Sequence, residues 1–199
     1  MNDVPISTAI SEFARQAGIN YILDPKLFHL PNYANGNVIR EPSVTLMWTN
    51  LSASNALAGL LDEQGFVMVQ DKFTSVSLIT GTNHVANIVD ASLLGSDTNP
   101  ASQMTNAPGL LIQFDMAPLD QALKNLTAHD HLDIALDPKV SDYVDPNDPT
   151  IHKFHNAPLV SVRWQNVTPR QGIVALCETY DLAIVKDAAT GGVLIKPKD

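Results

Sequence analysis

The sequence predicts an α+β protein made of two tandem copies of one small module, ordered β-α-β-β-α-β-β. Three observations predict this: residues repeat at a constant offset, short segments alternate apolar and polar side chains, and helix start signals lie between them. In each module, two helices should pack on small mixed β-sheets. We expect the first module at 1–82, a polar linker at 83–109 and the second module at 110–199.

The repeat consists mainly of residues typical of cores and turns. At an offset of 113, the identical pairs are Pro5/Pro118, Ala9/Ala122, Leu23/Leu136, Asp24/Asp137, Pro25/Pro138 and Lys26/Lys139. At an offset of 116, they are Pro42/Pro158, Val44/Val160, Trp48/Trp164, Asn50/Asn166, Leu60/Leu176, Val69/Val185, Asp71/Asp187 and Ile79/Ile195. The offset changes in the loop after the Asp-Pro-Lys triplet, where a duplicated fold tolerates a difference in length.

The second copy opens with a strand and a helix. Residues 110–116 alternate in the manner of a strand with one buried face. Pro118 suits the first turn of a helix, where its missing N–H costs nothing. The apolar stripe of this helix is Leu119, Ala122, Leu123 and Leu126. A second strand at 132–136 should end in a turn at Asp137-Pro138.

After a polar loop at 141–157, the second copy continues with a strand at 160–164. Thr168-Pro169-Arg170-Gln171 is a capping box with proline at the first helical position. The buried stripe of the helix that follows is Ile173, Leu176, Cys177 and Tyr180. Two strands around 184–185 and 193–195 should close a hairpin over Thr190-Gly191-Gly192.

The first copy repeats this order with one omission. Its predicted elements are a helix near 5–17, strands at 19–23 and 44–49, a helix at 52–64 ended by Gly65, and strands near 66–70 and 75–80. Met1 aligns with Phe114, so the opening strand of the first copy should be missing. We interpret the chain as a piece of a longer protein. The edge this leaves would need another cover, such as the apolar residues 85–89 of the linker, which favour a short strand, while 97–108 indicates a spacer.

Charge and composition exclude several classes of function. The net charge is −9, and the first eighty residues contain only four basic side chains, Arg15, Lys26, Arg40 and Lys72. Without a Lys/Arg stripe, binding to nucleic acid or to anionic membranes is not expected. No apolar run approaches the ~20 residues that span a bilayer, so direct membrane insertion is not expected either. Cys177 is the single cysteine, which excludes an internal disulfide and a thiolate metal cluster.

Three pairs of residues that recur in both copies have structural and functional interpretations. In Asp24-Pro25-Lys26 and Asp137-Pro138-Lys139, aspartate and proline are typical of a turn after a strand. Trp48 and Trp164 lie in phase with buried neighbours, which predicts core packing, and an aromatic anchor for a partner is the alternative. Asn50 and Asn166 end strands just before a helix, where asparagine commonly bonds the turn backbone, and a ligand role is the minor alternative.

Two groups of histidine and aspartate residues contain possible metal ligands. His129, His131 and Asp133, with His152 and His155 in the next loop, are zinc-type ligands, but the first copy has Gln16 and Gly18 at matching places. The acidic residues of the loop at 142–148 lack the spacing of a calcium-binding loop; they are Asp142, Asp145 and Asp148. A solvated loop is expected there, with weak calcium binding as the alternative.

No glycine-rich phosphate loop, nucleophile elbow or Cys/His pair is present in the sequence. We therefore predict no catalytic, cofactor-binding or metal-binding residues. The absence of such motifs favours a binding protein over an enzyme.

The pattern resembles the short N-terminal domain shared by secretins and TonB-dependent receptors, the STN domain. The matching motifs of the first copy are Val4-Pro5-Ile6, Ala9-Ile10, Phe13-Ala14, Gly18-Ile19-Asn20-Tyr21, Asp24-Pro25, Val44-Thr45-Leu46, Asn50-Leu51, Ala56-Leu57 and Leu60-Leu61-Asp62. The second copy departs from the family pattern at Asp130-His131, in place of Ala-Gly, and at Gly172-Ile173, in place of Ala-Leu. The resemblance covers everything except the linker.

The resemblance implies a non-enzymatic periplasmic module of a larger cell-envelope protein, acting in secretion, transport or signalling. In secretins such modules lie at the entrance of an outer-membrane channel, and in TonB-dependent receptors a single copy signals to a regulator protein. This chain departs from both by carrying two copies with long loops. The expected partner is an envelope protein, which the free edges of small sheets could bind by β-strand addition.

Two other functions stay open. A hydrolase or carbohydrate-active fragment could use the loops Phe28–Glu41 and Ser141–Asn156, which carry Tyr33, Tyr143 and several aspartates. It would need carboxylates that converge in a cleft. The other alternative is a purely structural spacer.

Overall fold

The computed structural model describes residues 2–25, 42–71, 73–83, 89–94, 111–141, 158–188 and 190–198. The chain divides into two compact units, Met1–Val85 and Ala86–Asp199. Each combines helices with small sheets that contain both parallel and antiparallel pairs, which confirms the predicted α+β class.

The first unit contains five strands and two helices within its described residues. They are β1 (Val4–Pro5), α1 (Ile6–Ala17), β2 (Tyr21–Leu23), β3 (Ser43–Val44), α2 (Ala53–Glu63), β4 (Phe66–Gln70) and β5 (Ser77–Gly81). The central strand of a three-stranded sheet is β5, which pairs parallel with β2 and antiparallel with β4. The strands β1 and β3 form a separate antiparallel pair.

The second unit has the same order of strands and long helices among its described residues, with one additional short helix. Its elements are β6 (Leu111–Pro118), α3 (Leu119–His129), β7 (Ile134–Leu136), a short α4 (Pro138–Ser141), β8 (Leu159–Gln165), α5 (Pro169–Thr179), β9 (Leu182–Lys186) and β10 (Val193–Pro197). Here β10 is central, parallel to β7 and antiparallel to β9, and β6 pairs antiparallel with β8.

Strand registers agree between the two units at the offsets of the sequence repeat. Tyr21 faces Ser77 in the first parallel pair, and Ile134 faces Val193 in the second. The hairpin partners of the first unit, such as Phe66 and Gly81, correspond to Leu182 and Pro197. The antiparallel partners Val4 and Val44 likewise correspond to Ala117 and Val160. A one-residue slip would reverse the face of every side chain, so this agreement is specific.

Backbone turns agree as well. Ten described residues have a positive φ, and they form five equivalent pairs: Asp3/Met116, Gly18/His131, Asn50/Asn166, Gly65/Asp181 and Ser75/Gly191. A positive φ is uncommon outside glycine, so its recurrence at matching places marks the same turn geometry. Directly after β2 and β7, the N–H of Asp24 donates to the carbonyl of Ile79 at 2.9 Å, and the N–H of Asp137 donates to the carbonyl of Ile195 at 2.8 Å.

The predicted capping box at the start of α5 is confirmed. The Thr168 hydroxyl accepts the N–H of Gln171, and the Gln171 side chain accepts the N–H of Thr168. In the first unit, Ser52 caps α2 by accepting the N–H of Asn55 at 3.3 Å. Both caps satisfy amides that a helix start leaves without a partner, so both helices begin where the sequence indicates.

The cores match the predicted apolar stripes. In the first unit, one hydrophobic cluster contains the buried residues Ile6, Ala9, Ile10, Ala14, Val44, Leu46, Leu57, Leu60, Leu61 and Ile79. In the second, they include Leu119, Ala122, Leu123, Leu126, Val160, Val162, Trp164, Ile173, Leu176, Cys177 and Ile195. Tyr180 is half-buried, and its hydroxyl donates to the carbonyl oxygen of Leu159 at 3.0 Å.

Several boundaries differ from prediction. The opening strand of the first copy is shortened rather than absent, because Val4–Pro5 forms β1. The strand predicted at 44–49 is assigned only at Ser43–Val44, where β1 supplies its partner. Asp137-Pro138 does end a strand, but Pro138 also starts the short helix α4. In this helix the N–H of Val140 donates to the carbonyl of Asp137.

Part of the predicted linker is folded. One turn of 3₁₀ helix, Ala91–Leu94, lies against β9, and Val89 and Leu94 are buried. Val89 is not in a strand, and its N–H lies 3.5 Å from the Glu178 carboxylate. The rest of the strand predicted at 85–89, and the spacer at 97–108, lie outside the described residues.

Gly59 and Gly172 provide a matched test of helix packing, because each lies beside a tryptophan and the other copy has alanine at each place. An added Cβ at Gly59 would lie 3.6 Å from Trp48, whereas at Gly172 it would lie 3.2 Å from Trp164 and 3.3 Å from Leu126. We expect Gly59→Ala to raise the free energy of unfolding by up to ~1 kcal/mol, through helix propensity. Gly172→Ala should lower it, since buried side chains must shift. Equal gains in urea denaturation would contradict this packing.

Candidate functional site

Large apolar side chains are exposed mostly in the first unit. Eight described residues of this kind are exposed, and six belong to it: Met47, Trp48, Leu51, Met68, Val69 and Phe73, against Leu111 and Met116 in the second unit. Because the two units share registers and turns, each exposed residue can be compared with its equivalent in the other copy. Where the equivalent residue is buried, the residues that bury it in the second unit have no counterpart among the described residues of the first.

The first difference lies after β3. Within the described residues, no strand pairs with Met47–Thr49, which we call the open edge. The equivalent residues of the second unit, 163–165, pair with residues 111–113 of β6. At the offset of the repeat, the residues matching 111–113 would precede Met1 in the printed sequence. The second unit therefore shows what a covered version of this edge looks like.

Trp48 does not have the environment predicted for it. Trp164 is fully buried, as expected, but Trp48 is 39% exposed. Its ring still faces the helices, stacked on Phe13 with centroids 6.3 Å apart and lying against Gly59. The prediction of core packing is right for Trp164 and wrong for Trp48, since Ile112 lies opposite Trp164 and no described residue occupies that place beside Trp48.

Two neighbours of Trp48 in the sequence are also exposed. Met47 is 90% exposed, and its equivalent is the charged Arg163. Leu51 is 52% exposed, whereas its equivalent, Val167, is 1% exposed. Met47, Trp48 and Leu51 are therefore three exposed apolar side chains at or next to backbone that has no strand partner in the described chain.

A second difference lies on the three-stranded sheet. Met68 in β4 is 42% exposed, while its equivalent in β9, Ile184, is 4% exposed. The turn Ala91–Leu94 lies against β9 in the second unit. Within the described residues, no turn is in the same place beside β4.

The backbone leading to the open edge has the geometry of the covered copy. In the second unit, a bulge between Phe114 and Ala117 lets the N–H of Met116 donate to the Ser161 hydroxyl at 2.9 Å. In the first unit, the N–H of Asp3 donates to the Thr45 hydroxyl at 3.1 Å. Thr45 is equivalent to Ser161, so the contact that sets the bulge is present in both copies.

Shifted pKa values among the described residues have local structural causes. Burial alone would raise the pKa of Asp120, but Lys124, 2.9 Å away, and Gln121 hold this pKa below its ordinary value. Hydrogen bonds from Arg15 and Gln16 lower the pKa of Glu12. Burial raises the pKa of the Tyr21 hydroxyl and of the Cys177 thiol. These groups are explained by burial and by neighbours on their own helices, so none of them indicates a catalytic centre.

The repeated aspartates and asparagines have structural roles. Asp24 is buried and accepts a hydrogen bond from the Thr80 hydroxyl at 2.6 Å. Asp137 accepts the N–H of Lys139 at 2.8 Å, the turn contact predicted for it, while Lys26 lies outside the described residues. Asn50 and Asn166 both adopt a positive φ, which asparagine tolerates better than most residues.

Histidines and acidic residues do not gather into a site in the described part of the chain. No group of three potential ligands is present there, and His129, His131 and Asp133 are not brought together with a further ligand. His131 has φ 50° at the place of Gly18, which makes it a turn residue. His152, His155, Asp142, Asp145 and Asp148 lie outside the described residues, as do Tyr33 and Tyr143.

Comparisons with known proteins identify no relative. No protein-family model matches the chain, and neither a curated protein nor a solved structure matched it. The resemblance to STN domains therefore remains a prediction from the sequence. In the described residues, no helix is long and apolar enough to cross a membrane.

The two tryptophans should differ in their contribution to stability. We expect Trp164→Ala to lower the free energy of unfolding of the second unit by about 3–5 kcal/mol, because it removes a fully buried aromatic ring. Trp48→Ala should cost clearly less, since this ring is already partly in water. Urea titrations monitored by circular dichroism measure both losses, and losses of the same size would contradict the assigned exposures.

Cys177 should be chemically silent in the native protein. Its thiol is buried and burial raises its pKa, while only the thiolate reacts with disulfide reagents. We expect Ellman's reagent to label it only as fast as the second unit opens, and rapidly in denaturant. Arg163→Cys, at an exposed position, gives a fast-reacting control. Immediate labelling of native Cys177 would show that the α5 core is wrong.

Proposed function

We propose that this chain is a non-enzymatic protein-interaction module of a larger cell-envelope protein, exposed to the periplasm. Its resemblance to the STN domains of secretins and TonB-dependent receptors suggests a role in secretion, transport or signalling. The observation that carries the proposal is the exposure of three apolar side chains, Met47, Trp48 and Leu51, at the open edge and next to it.

Three observations on these exposed residues support a protein partner. Exposed apolar side chains beside strand backbone without a partner are costly in water and prone to association, so proteins usually cover them. Tryptophan is among the residues that contribute most to interfaces. The second unit buries the equivalents of Trp48 and Leu51, so the shared architecture does not require their exposure.

The other functions considered have less support. The hydrolase interpretation depends on the loops 28–41 and 141–156, which, apart from Ser141, lie outside the described residues. A purely structural spacer gives no reason for a methionine that is 90% exposed. The net charge of −9 disfavours nucleic acids and anionic membranes as partners.

Site-specific photo-crosslinking in the natural host tests the proposal. A photoreactive phenylalanine replaces Met47 in one variant of the full-length protein and Arg163, the equivalent exposed residue, in a matched control. We expect irradiation of intact cells to give a discrete adduct with a cell-envelope protein from position 47 and none from position 163. The reason is that only position 47 lies on the open edge.

Formation of the adduct must also depend on the exposed apolar side chains near position 47. In the variant that carries the photoreactive residue at 47, an added Leu51→Asp should abolish the adduct without unfolding the exposed helix start. No adduct at position 47, equal adducts at both positions, or a cytosolic protein in the adduct would contradict the proposed function.

A further inference from the structure

We propose that residues 89–94, which we call the strap, form a releasable cover over an apolar face of the second unit at β9 and α5. Release of the strap opens this face to an apolar ligand while the rest of the unit stays folded. The inference concerns the second unit alone and does not depend on the partner proposed for the open edge.

The strap is docked through buried side chains and a hydrogen bond. Its single turn of 3₁₀ helix, Ala91–Leu94, lies against β9, and Leu94 is 6% exposed. Val89 is 9% exposed, and its N–H lies 3.5 Å from the Glu178 carboxylate in the last turn of α5. The strap therefore contacts both α5 and β9, which follow each other in the chain.

The strap lies where the two units differ in burial. Ile184 in β9 is 4% exposed, whereas its equivalent in β4, Met68, is 42% exposed. Val174 lies one turn before Glu178 on the same side of α5 and is 2% exposed, whereas its equivalent, Ala58, is exposed. The strand β9 is an outer strand of its sheet, and no described strand pairs with its other edge. The strap thus lies over apolar side chains at a sheet edge.

The docked form of the strap is only weakly favoured over the released form. Fixing six residues costs conformational entropy of the same order as the free energy gained by burying two aliphatic side chains. A single 3₁₀ turn has poor hydrogen-bond geometry, and the 3.5 Å contact is at the upper limit for a hydrogen bond. No residue of the strap belongs to a β-strand. Segments with so few buried contacts open locally, without unfolding of the core.

The sheet does not require the strap. Among the described residues of the first unit, no turn lies beside β4, yet β4 pairs with β5 along its whole length, as β9 does with β10. Release of the strap is therefore expected to leave β9 in its sheet.

The rate at which thiols react with Ellman's reagent measures release. Variants of the complete chain carry one added cysteine, at a buried strap residue (Val89→Cys or Leu94→Cys) or at an exposed one (Ser92→Cys), and Cys177 reports opening of the whole unit. We expect Ser92→Cys to react at once. The two buried positions should react more slowly than Ser92→Cys, yet on the order of 100-fold faster than Cys177, because the strap opens without the core. Mass spectrometry of labelled peptides separates the added thiol from Cys177.

Two further measurements show whether the opening is local and concerted. Low concentrations of urea should hardly change the labelling rates of Val89→Cys and Leu94→Cys but should raise that of Cys177, since only global opening exposes much surface. Adding Glu178→Ala should raise both strap rates about threefold or more, because it removes a charged hydrogen-bond acceptor. It should leave the rate of Ser92→Cys unchanged.

Access to the apolar face is measured with the dye bis-ANS. Leu94→Asp places a charge at a buried position and should release the strap, which raises the dye fluorescence while the far-UV circular dichroism stays the same. Ser92→Asp adds the same charge at an exposed position of the same turn and should leave the fluorescence unchanged.

Each result decides the inference. Intermediate labelling rates at both buried strap positions, with a rise in dye fluorescence for Leu94→Asp alone, support it. Labelling at positions 89 and 94 as slow as at Cys177 would show that the strap is a fixed part of the fold. Labelling there as fast as at Ser92→Cys would show that it is not docked, and either result overturns the inference, as does unchanged dye fluorescence. The crosslinking at position 47 does not enter these results, so the proposed function is tested independently.

Discussion

In each unit, the first strand pairs antiparallel with the strand that precedes the second long helix. The length of this pairing decides how far the tryptophan of that unit is buried. In the second unit, β6 pairs with β8 along most of its length, and Trp164 is enclosed between this pair and two helices. In the first unit, the pair shrinks to two residues on each strand, and Trp48 is partly exposed. A sheet edge without a partner exposes backbone donors and acceptors together with side chains. Shortening one strand therefore exposes both the backbone groups and the side chains of its neighbour.

The same architecture tolerates different residues where their physical role is preserved. Leu61 and Cys177 occupy equivalent positions and both are buried, so the cysteine packs there as a small apolar side chain. Gly18 and His131 adopt the same left-handed turn, although only glycine does so without strain. The units differ most at their exposed edges, where Met47 replaces Arg163 and the turn Ala91–Leu94 covers β9 alone. Function in this chain is therefore expected from the differences between the copies.

Sequence patterns predicted the helices and strands better than they predicted which residues cover them. The capping box at Thr168 and the apolar stripes of the helices were sufficient because caps and helical periodicity are local signals. Alternation correctly indicated that Trp48 faces the helices, but it carries no information about whether another strand covers that face. The folded turn at Ala91–Leu94 was missed for a related reason, since a short apolar segment among polar residues gives no local sign that it packs on β9. The open edge itself was predicted, because aligning Met1 with Phe114 leaves the first copy without residues that match 111–113.

Native-state hydrogen exchange of individual amides tests the central claim most directly. This claim is that Met47–Thr49 has no strand partner among the described residues, whereas residues 163–165 pair with β6. The partner-free chain is predicted to exchange its Met47–Thr49 amides much faster than the equivalent amides in β8, while the helical amides of both units stay protected. Equal protection of the two strand segments in a monomeric chain would contradict the account.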